Sequence, residues 1–361
     1  MTTRQLELLA QQRLNSQRLI GERLQTARDV VRWFGAVQSQ DYAGAKWGVG
    51  LRMPEASDAA LDAAFNSGQI LRTHIMRPTW HFVAPEDLRW ILALTSPRVQ
   101  AANARVYRGL ELEDAMLRRA QGVIAKALEG RQYLTRAELG EALDKKRINA
   151  RGQRLAYIAM YAELQGLICS GPLRGKQHTY ALVEERAPST PSVDRDEALL
   201  RLALRYFTSH GPATPHDFAW WSGLTTSEAK RAITAAGDGI VHFDVDGKRY
   251  YLSPDIADAA IRRPIVHLLP NYDEHVVAYR DHGPSLDARA PRALDHWGNA
   301  LTAHLVVLNG LVVGGWRRTV EGSDVIVRLD LPIALRSSEQ RALKRGLERY
   351  AEFLGLRATV N

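Results

Sequence analysis

Cysteine occurs once in the 361 residues, at Cys169, so the chain can close no disulfide within itself and build no thiolate zinc cage. Between Leu167-Ile168 and Ser170 the thiol reads as a small buried hydrophobe. Long apolar runs are missing as well. None approaches the roughly 18 residues that a membrane helix needs, and Met1-Thr2-Thr3-Arg4-Gln5 lacks the apolar core of a secretory signal. A cytoplasmic protein with no membrane partner is expected. Neither standard Gly-rich phosphate loop is present, and Gly48-Val49-Gly50 has no strand and helix around it, so no nucleotide cofactor is implied. A G-x-S-x-G elbow is absent, which removes the simplest nucleophilic hydrolase. Histidines are not scarce, but His74 and His81 flank a turn and His267, His275 and His282 spread over a strand and loop. None stands at the i, i+4 spacing with a glutamate that makes a helical zinc site, so neither a metal nor any other cofactor is expected.

What is present is an ordinary globular composition, 45% hydrophobic and 24% charged, over a length that suits two to four domains. Forty-eight Lys and Arg against 40 Asp and Glu leave a net charge of +8, which favours a polyanionic partner.

Helical runs are repeatedly followed by a hairpin. In the middle of the chain Leu117, Ala120, Ile124 and Leu128 mark one helix, Thr135 with Glu138 caps a second, and Leu155, Ile158, Ala159 and Ala162 mark a third. Leu167 to Ser170, a turn from Gly171 to Lys176 and a strand through Val183 complete a winged helix. After the Pro- and Ser-rich linker 187–192 the order returns: Leu199, Leu202, Ala203 and Tyr206, then Thr214-Pro215, then Thr225 with Glu228, then a hairpin turning at Asp246-Gly247. The N-terminal part fits the same template, with helices at 26–37, 43–51 and from Ser57 to Phe65, and strands at Ile70–Thr73 and Thr79–Val83. Beyond Pro264 strands dominate, at Ile265–Leu269, Ala303–Leu308, Leu311–Trp316 and Val325–Leu329. Asn309-Gly310 is a type I′ hairpin signal, and a last helix carries Leu343, Leu347, Tyr350, Ala351 and Leu354 on one face. The expected fold is therefore α+β, with tandem winged-helix units and a β-rich C-terminal domain. Its parts are a first unit over 1–110, a second over 111–187, a third over 193–254 and the β-rich domain with its final helix over 264–361.

Basic residues recur at one structural place: Arg72 and Arg77 around the first hairpin, Arg174 and Lys176 in the second, and Lys248 and Arg249 in the third. Each could meet a phosphate, and backbone contacts of this kind supply most sequence-independent DNA affinity. The third helices carry no run of base-reading side chains, so shape and backbone recognition is expected over an operator code. Between the first two helices stands Val37-Gln38-Ser39-Gln40-Asp41-Tyr42. A carboxamide offers an acceptor oxygen and two donor hydrogens, so a pair of them can fix a water without taking its proton. By itself Q-x-Q is a weak signal, because glutamine pairs occur by chance and usually cap or hydrate a surface turn.

Three stretches together resemble the AlkZ/YcaQ family of winged-helix DNA glycosylases: Val37 to Tyr42, Arg72-Thr73-His74-Ile75-Met76-Arg77-Pro78-Thr79-Trp80-His81, and Leu268-Leu269-Pro270-Asn271-Tyr272-Asp273. The resemblance spans nearly the whole chain. It implies tandem winged helices around double-stranded DNA, hydrolysis of the glycosidic bond of N7-alkylated purines including bulky or cross-linked adducts, and a catalytic pair at Gln38 and Gln40. The second position is Asp in the YcaQ-like branch and Gln in the AlkZ-like branch, which this chain resembles; Ser39 departs from the usual apolar middle residue. The chemistry is coherent, because an N7-alkylpurine already carries the positive charge that glycosidic cleavage otherwise supplies by protonation. A monofunctional, monomeric, metal-free glycosylase is expected. Its rival is a non-catalytic winged-helix DNA-binding protein or transcriptional regulator, since fold does not fix function. A small-molecule hydrolase using Asp41 or Asp273 as base has no evident partner residue.

Overall fold

One order of elements recurs three times in the computed structural model, which describes residues 2–256, 261–290 and 303–360: helix, short extended segment, two helices, hairpin. Helix α1 (Thr3–Ser16) precedes the series and opens on a capping box between Thr2 and Gln5. The first unit is α2 (Ala27–Phe34), β1 (Val37–Gln38), α3 (Tyr42–Gly50), α4 (Asp58–Ser67), β2 (Leu71–His74) and β3 (Trp80–Val83). A 25-residue helix, α5 (Pro85–Gly109), starts with proline in its first turn, where a missing N–H costs nothing, and leads into the second unit. There follow α6 (Asp114–Leu128), β4 (Leu134–Thr135), α7 (Arg136–Lys145), α8 (Gln153–Leu164), β5 (Ile168–Ser170), β6 (Thr179–Leu182) and the single turn α9 (Val183–Arg186). The third unit holds α10 (Arg195–Ser209), α11 (Pro215–Ser222), α12 (Thr226–Ala236), β7 (Val241–Val245) and β8 (Lys248–Leu252). In each, the segment after the first helix lies antiparallel to the second hairpin strand: Gln38 opposite His81, Leu134 opposite Tyr180, and a lone bridge from Ala213 to Tyr251.

The C-terminal part is a five-stranded sheet in the order β13-β12-β11-β10-β9. Its members are β9 (Val266–Leu269), followed by the short helix α13 (Glu274–Val277), then β10 (Leu305–Leu308), β11 (Leu311–Glu321) and β12 (Asp324–Asp330). Helix α14 (Ser337–Leu354) then crosses back so that β13 (Arg357–Val360) joins β12 in parallel. Asn309 and Gly310 turn the β10–β11 hairpin at φ of 52° and 90°, the left-handed pair a type I′ turn demands, and Asp246-Gly247 does the same in the third wing at 52° and 73°. The fold is α+β, tandem winged-helix units with a β-rich C-terminal domain. Its apolar cores do not stop at unit boundaries: one joins Val30, Phe34, Trp47 and Phe65 to Val306, Trp316 and Tyr350, and another joins Leu71 and Ile91 to Tyr206 and Trp221. Among the described residues, the second unit keeps a core largely its own, around Leu117, Ile124, Leu139 and Ile158.

Candidate active site

Gln38 ends β1 and pairs in register with His81 of β3, while Val37 and Phe82, one residue along, turn into the core. Period-two alternation therefore puts Gln38 on the face away from that core, and Gln40 lies in a bend just past the strand's end. The amide of Gln38 is 5% exposed, and its Oε1 accepts from Arg77 Nη2 at 2.8 Å. A guanidinium only donates, so this contact fixes which end of the amide is oxygen. Gln40 is exposed, and its Oε1 faces the backbone N–H of Trp80 at 3.4 Å. Ser39 between them is sealed, donating its N–H to Trp80 O at 2.8 Å and receiving Arg72 Nε and Nη2 on its carbonyl at 3.1 and 2.9 Å. Two residues apart at the end of an edge strand, the amides are held by backbone pairing below and two arginines beside them.

The support under Gln38 comes from the far end of the chain. Strand β9 is anchored by two indoles, Trp47 Nε1 on Leu268 O at 2.6 Å and Trp316 Nε1 on Leu269 O at 2.9 Å, and it delivers Pro270 to Glu274 beneath β1. Buried Asp273 takes both arms of Arg52, each at 2.9 Å, as well as the N–H of His275. Gly48 explains itself here, because a side-chain carbon at that position would stand 3.0 Å from the Asp273 carboxylate. Glu274, buried in turn, accepts Gln38 N–H at 2.8 Å on one oxygen, and Trp221 Nε1 and His210 Nε2 at 3.0 and 3.2 Å on the other. Burial holds the His210 imidazole below its ordinary range. Asp41 caps α3 through Gly44 N. Every carboxylate next to the glutamines thus has a structural partner.

The sequence reading singles out the two glutamines and leaves Glu274 out, although it directly follows the Leu268–Asp273 stretch. Nothing local marks a carboxylate whose partners lie 53 to 236 residues away. The six basic positions separate into two sets. Arg72 is buried with its guanidinium on Ser39 O and over the Trp80 ring, 4.4 Å from the centroid, and burial brings it down to about 10. Arg72 and Arg77 are placed to hold the glutamine loop, where phosphate contact is the expectation. The other four lie on exposed wings: Arg174 against Glu138, Lys248 against Asp281, Arg249 against Asp244, and Lys176 with no described contact. Of the histidines weighed as metal ligands, His74 bonds Glu163, His267 bonds Leu19 O, and His275 bonds Gly310 O. Among the described residues no helix is long and apolar enough to cross a membrane.

The geometry can be set beside known proteins. The family model for AlkZ-like DNA glycosylases matches residues 31–353. An interstrand DNA cross-link repair glycosylase of Streptomyces sahachiroi is 26% identical over 309 residues, covering 81% of this chain and 82% of that protein. The solved structure of Streptomyces sahachiroi DNA glycosylase AlkZ superposes with a TM-score of 0.78 at 21% identity, over 98% of this chain and 99% of that one. With a family match running from α2 to within α14, the chain belongs to the AlkZ-like DNA glycosylases, hydrolases of N-glycosyl bonds that act on DNA.

Proposed function

We propose that this glycosylase releases N7-alkylated purines from double-stranded DNA, with Gln38 and Gln40 positioning the attacking water. The observation that carries this reading is the state of the carboxylates. Glu274 is bound by three donors, Asp273 by Arg52, and Asp41 by the start of α3, so none is spare to protonate a leaving base. A purine alkylated at N7 needs no such proton, since its ring is cationic and leaves with the C1′–N9 electron pair as a neutral base. What remains for the protein is to hold water and the developing sugar cation, which fixed dipoles do well. The exposed wing cations Arg174, Lys176, Lys248 and Arg249 are the proposed phosphate contacts. The cross-link repair named for the Streptomyces relative extends the substrate range to adducts bridging both strands, for which full extrusion of one base is harder than for a simple lesion.

The test is a comparison of leaving groups. Purified enzyme should release N7-methylguanine from duplex DNA and leave uracil and hypoxanthine, which are neutral, in place. Equal release of neutral and cationic bases would overturn the reading, because it demands a general acid, and the carboxylates described beside the glutamines are all engaged.

A further inference from the structure

Two amides can hold a water, but the reaction also sets a proton free, and a carboxamide is too weak a base to accept it. The residue opposite Gln38 has what the amides lack. His81 and Gln38 are register partners on adjacent strands, so their side chains leave the sheet on the same face, with Cβ atoms about 5 Å apart. Its ring is pinned at one end, with Nδ1 2.9 Å from Thr79 O. A carbonyl only accepts, so Nδ1 carries the hydrogen and Nε2 presents a lone pair. That Nε2 is buried in a side chain of 0% exposure and has no hydrogen-bond partner among the described residues. His178, His267, His275 and His282 also each leave a buried ring nitrogen unpaired, so what sets His81 apart is its place opposite Gln38 on the adjacent strand. Gln38 complements it, because its oxygen is committed to Arg77 and its amide nitrogen remains as a donor.

We propose that His81 is a catalytic residue of this site, its Nε2 accepting a hydrogen from the attacking water while the Gln38 amide donates to that water's oxygen. The inference rests on the N7-alkylpurine reading above. As the C1′–N9 bond breaks, its electron pair leaves with the purine and cancels the ring charge. The water oxygen bonds C1′, and the proton it sheds passes to His81 Nε2 and then to solvent. A sugar oxygen carrying that extra proton is a far stronger acid than any imidazolium, so even a weakly basic ring accepts it. Burial first, then the charge of Arg77, hold the His81 imidazole well below its usual range, with His74 of β2 acting in the same direction. It therefore stands neutral at physiological pH and puts no second positive charge beside a cationic lesion.

Two amide substitutions separate this role from packing. The nitrogen of Asn overlays Nδ1 and keeps the Thr79 contact; the end of Gln reaches the Nε2 position and fills its volume, but neither amide has the basicity to take the proton. In single-turnover release of N7-methylguanine from duplex DNA, H81N and H81Q should each fall on the order of 100-fold, the scale of one general base, while binding the duplex as wild type does. A merely structural histidine predicts instead that one of the two, the amide that keeps the Thr79 contact or the one that fills the Nε2 volume, stays close to wild type. Release by either folded, DNA-binding variant within about tenfold of the wild-type rate overturns the proposal. Should H81N fail to fold, H81Q decides alone: a folded, DNA-binding H81Q that has lost about 100-fold supports the proton-acceptor role, and one near the wild-type rate overturns it. A wild-type enzyme that releases no N7-methylguanine overturns the substrate reading itself, whereas an active wild type with unaffected variants overturns only the role of His81.

Discussion

Asp273 shows at the scale of a single residue why the site holds its shape. Burial alone would raise its pKa, but the charge and two hydrogen bonds of Arg52 outweigh that and keep it below the usual carboxylate range. A folded-state value below the unfolded one gives stability that is fully present above about pH 4 and lost as pH falls through the depressed value. Thermal unfolding should thus be insensitive to Asp273 ionisation from pH 5 to 8 and weaken below pH 4. D273N should remove about 3–5 kcal/mol, because it leaves a buried guanidinium without its counter-charge, and denaturant unfolding at pH 7 checks it. R77M should release the Gln38 amide and lower single-turnover base release about tenfold or more, with DNA affinity nearly unchanged; release at the wild-type rate would show the contact to be incidental. Gln38 and Gln40 are conspicuous in the sequence only as part of a three-stretch resemblance. Arg72 and Arg77, expected as phosphate contacts, also hydrogen-bond the glutamine loop, and sequence cannot show that, because a basic residue near a hairpin looks the same whether it points to solvent or back at a neighbouring strand.

Among elements, those announced by local chemistry are the legible ones. Capping boxes at Thr135–Glu138 and Thr225–Glu228 start α7 and α12 where expected, and Asp246-Gly247 and Asn309-Gly310 turn their hairpins. Several elements escape, four of them because their existence depends on distant partners. Strand β1 is two residues long and forms only because β3 offers an edge; β13 exists because α14 returns the chain to β12; α1 and α5 are partly polar helices whose apolar positions become meaningful against the rest of the molecule. The Asn309-Gly310 turn also packs on α1: a side-chain carbon at Gly310 would stand 2.8 Å from Ala10 O, at a φ of 90° that L-residues avoid. G310A should therefore destabilise the protein by about 1–3 kcal/mol and loosen α1, read as faster amide exchange over Thr3–Ser16.

The whole molecule brings residues from the first unit and the C-terminal part into one site, since Gln38, Arg77 and His81 come from the former and Glu274 from the start of α13, just after β9. The shared cores pack that junction with apolar side chains from both parts. On the proposed DNA face, affinity for undamaged duplex should fall with salt at a log–log slope of about −0.9 per phosphate neutralised, and replacing Arg174 and Lys176 with Ala should shallow that slope by roughly 2 for all sequences alike. The central claim is that two amides, without a free carboxylate, drive release of a base that is already cationic. It is tested most directly by single-turnover release of N7-methylguanine from duplex DNA by wild type, Q38A, Q40A and the double variant, with binding measured in parallel. The account predicts a loss of about 10- to 1,000-fold for each single variant, a double variant that loses less than the product of the two, and unchanged affinity. Single variants that bind DNA normally and release the base at the wild-type rate would contradict it.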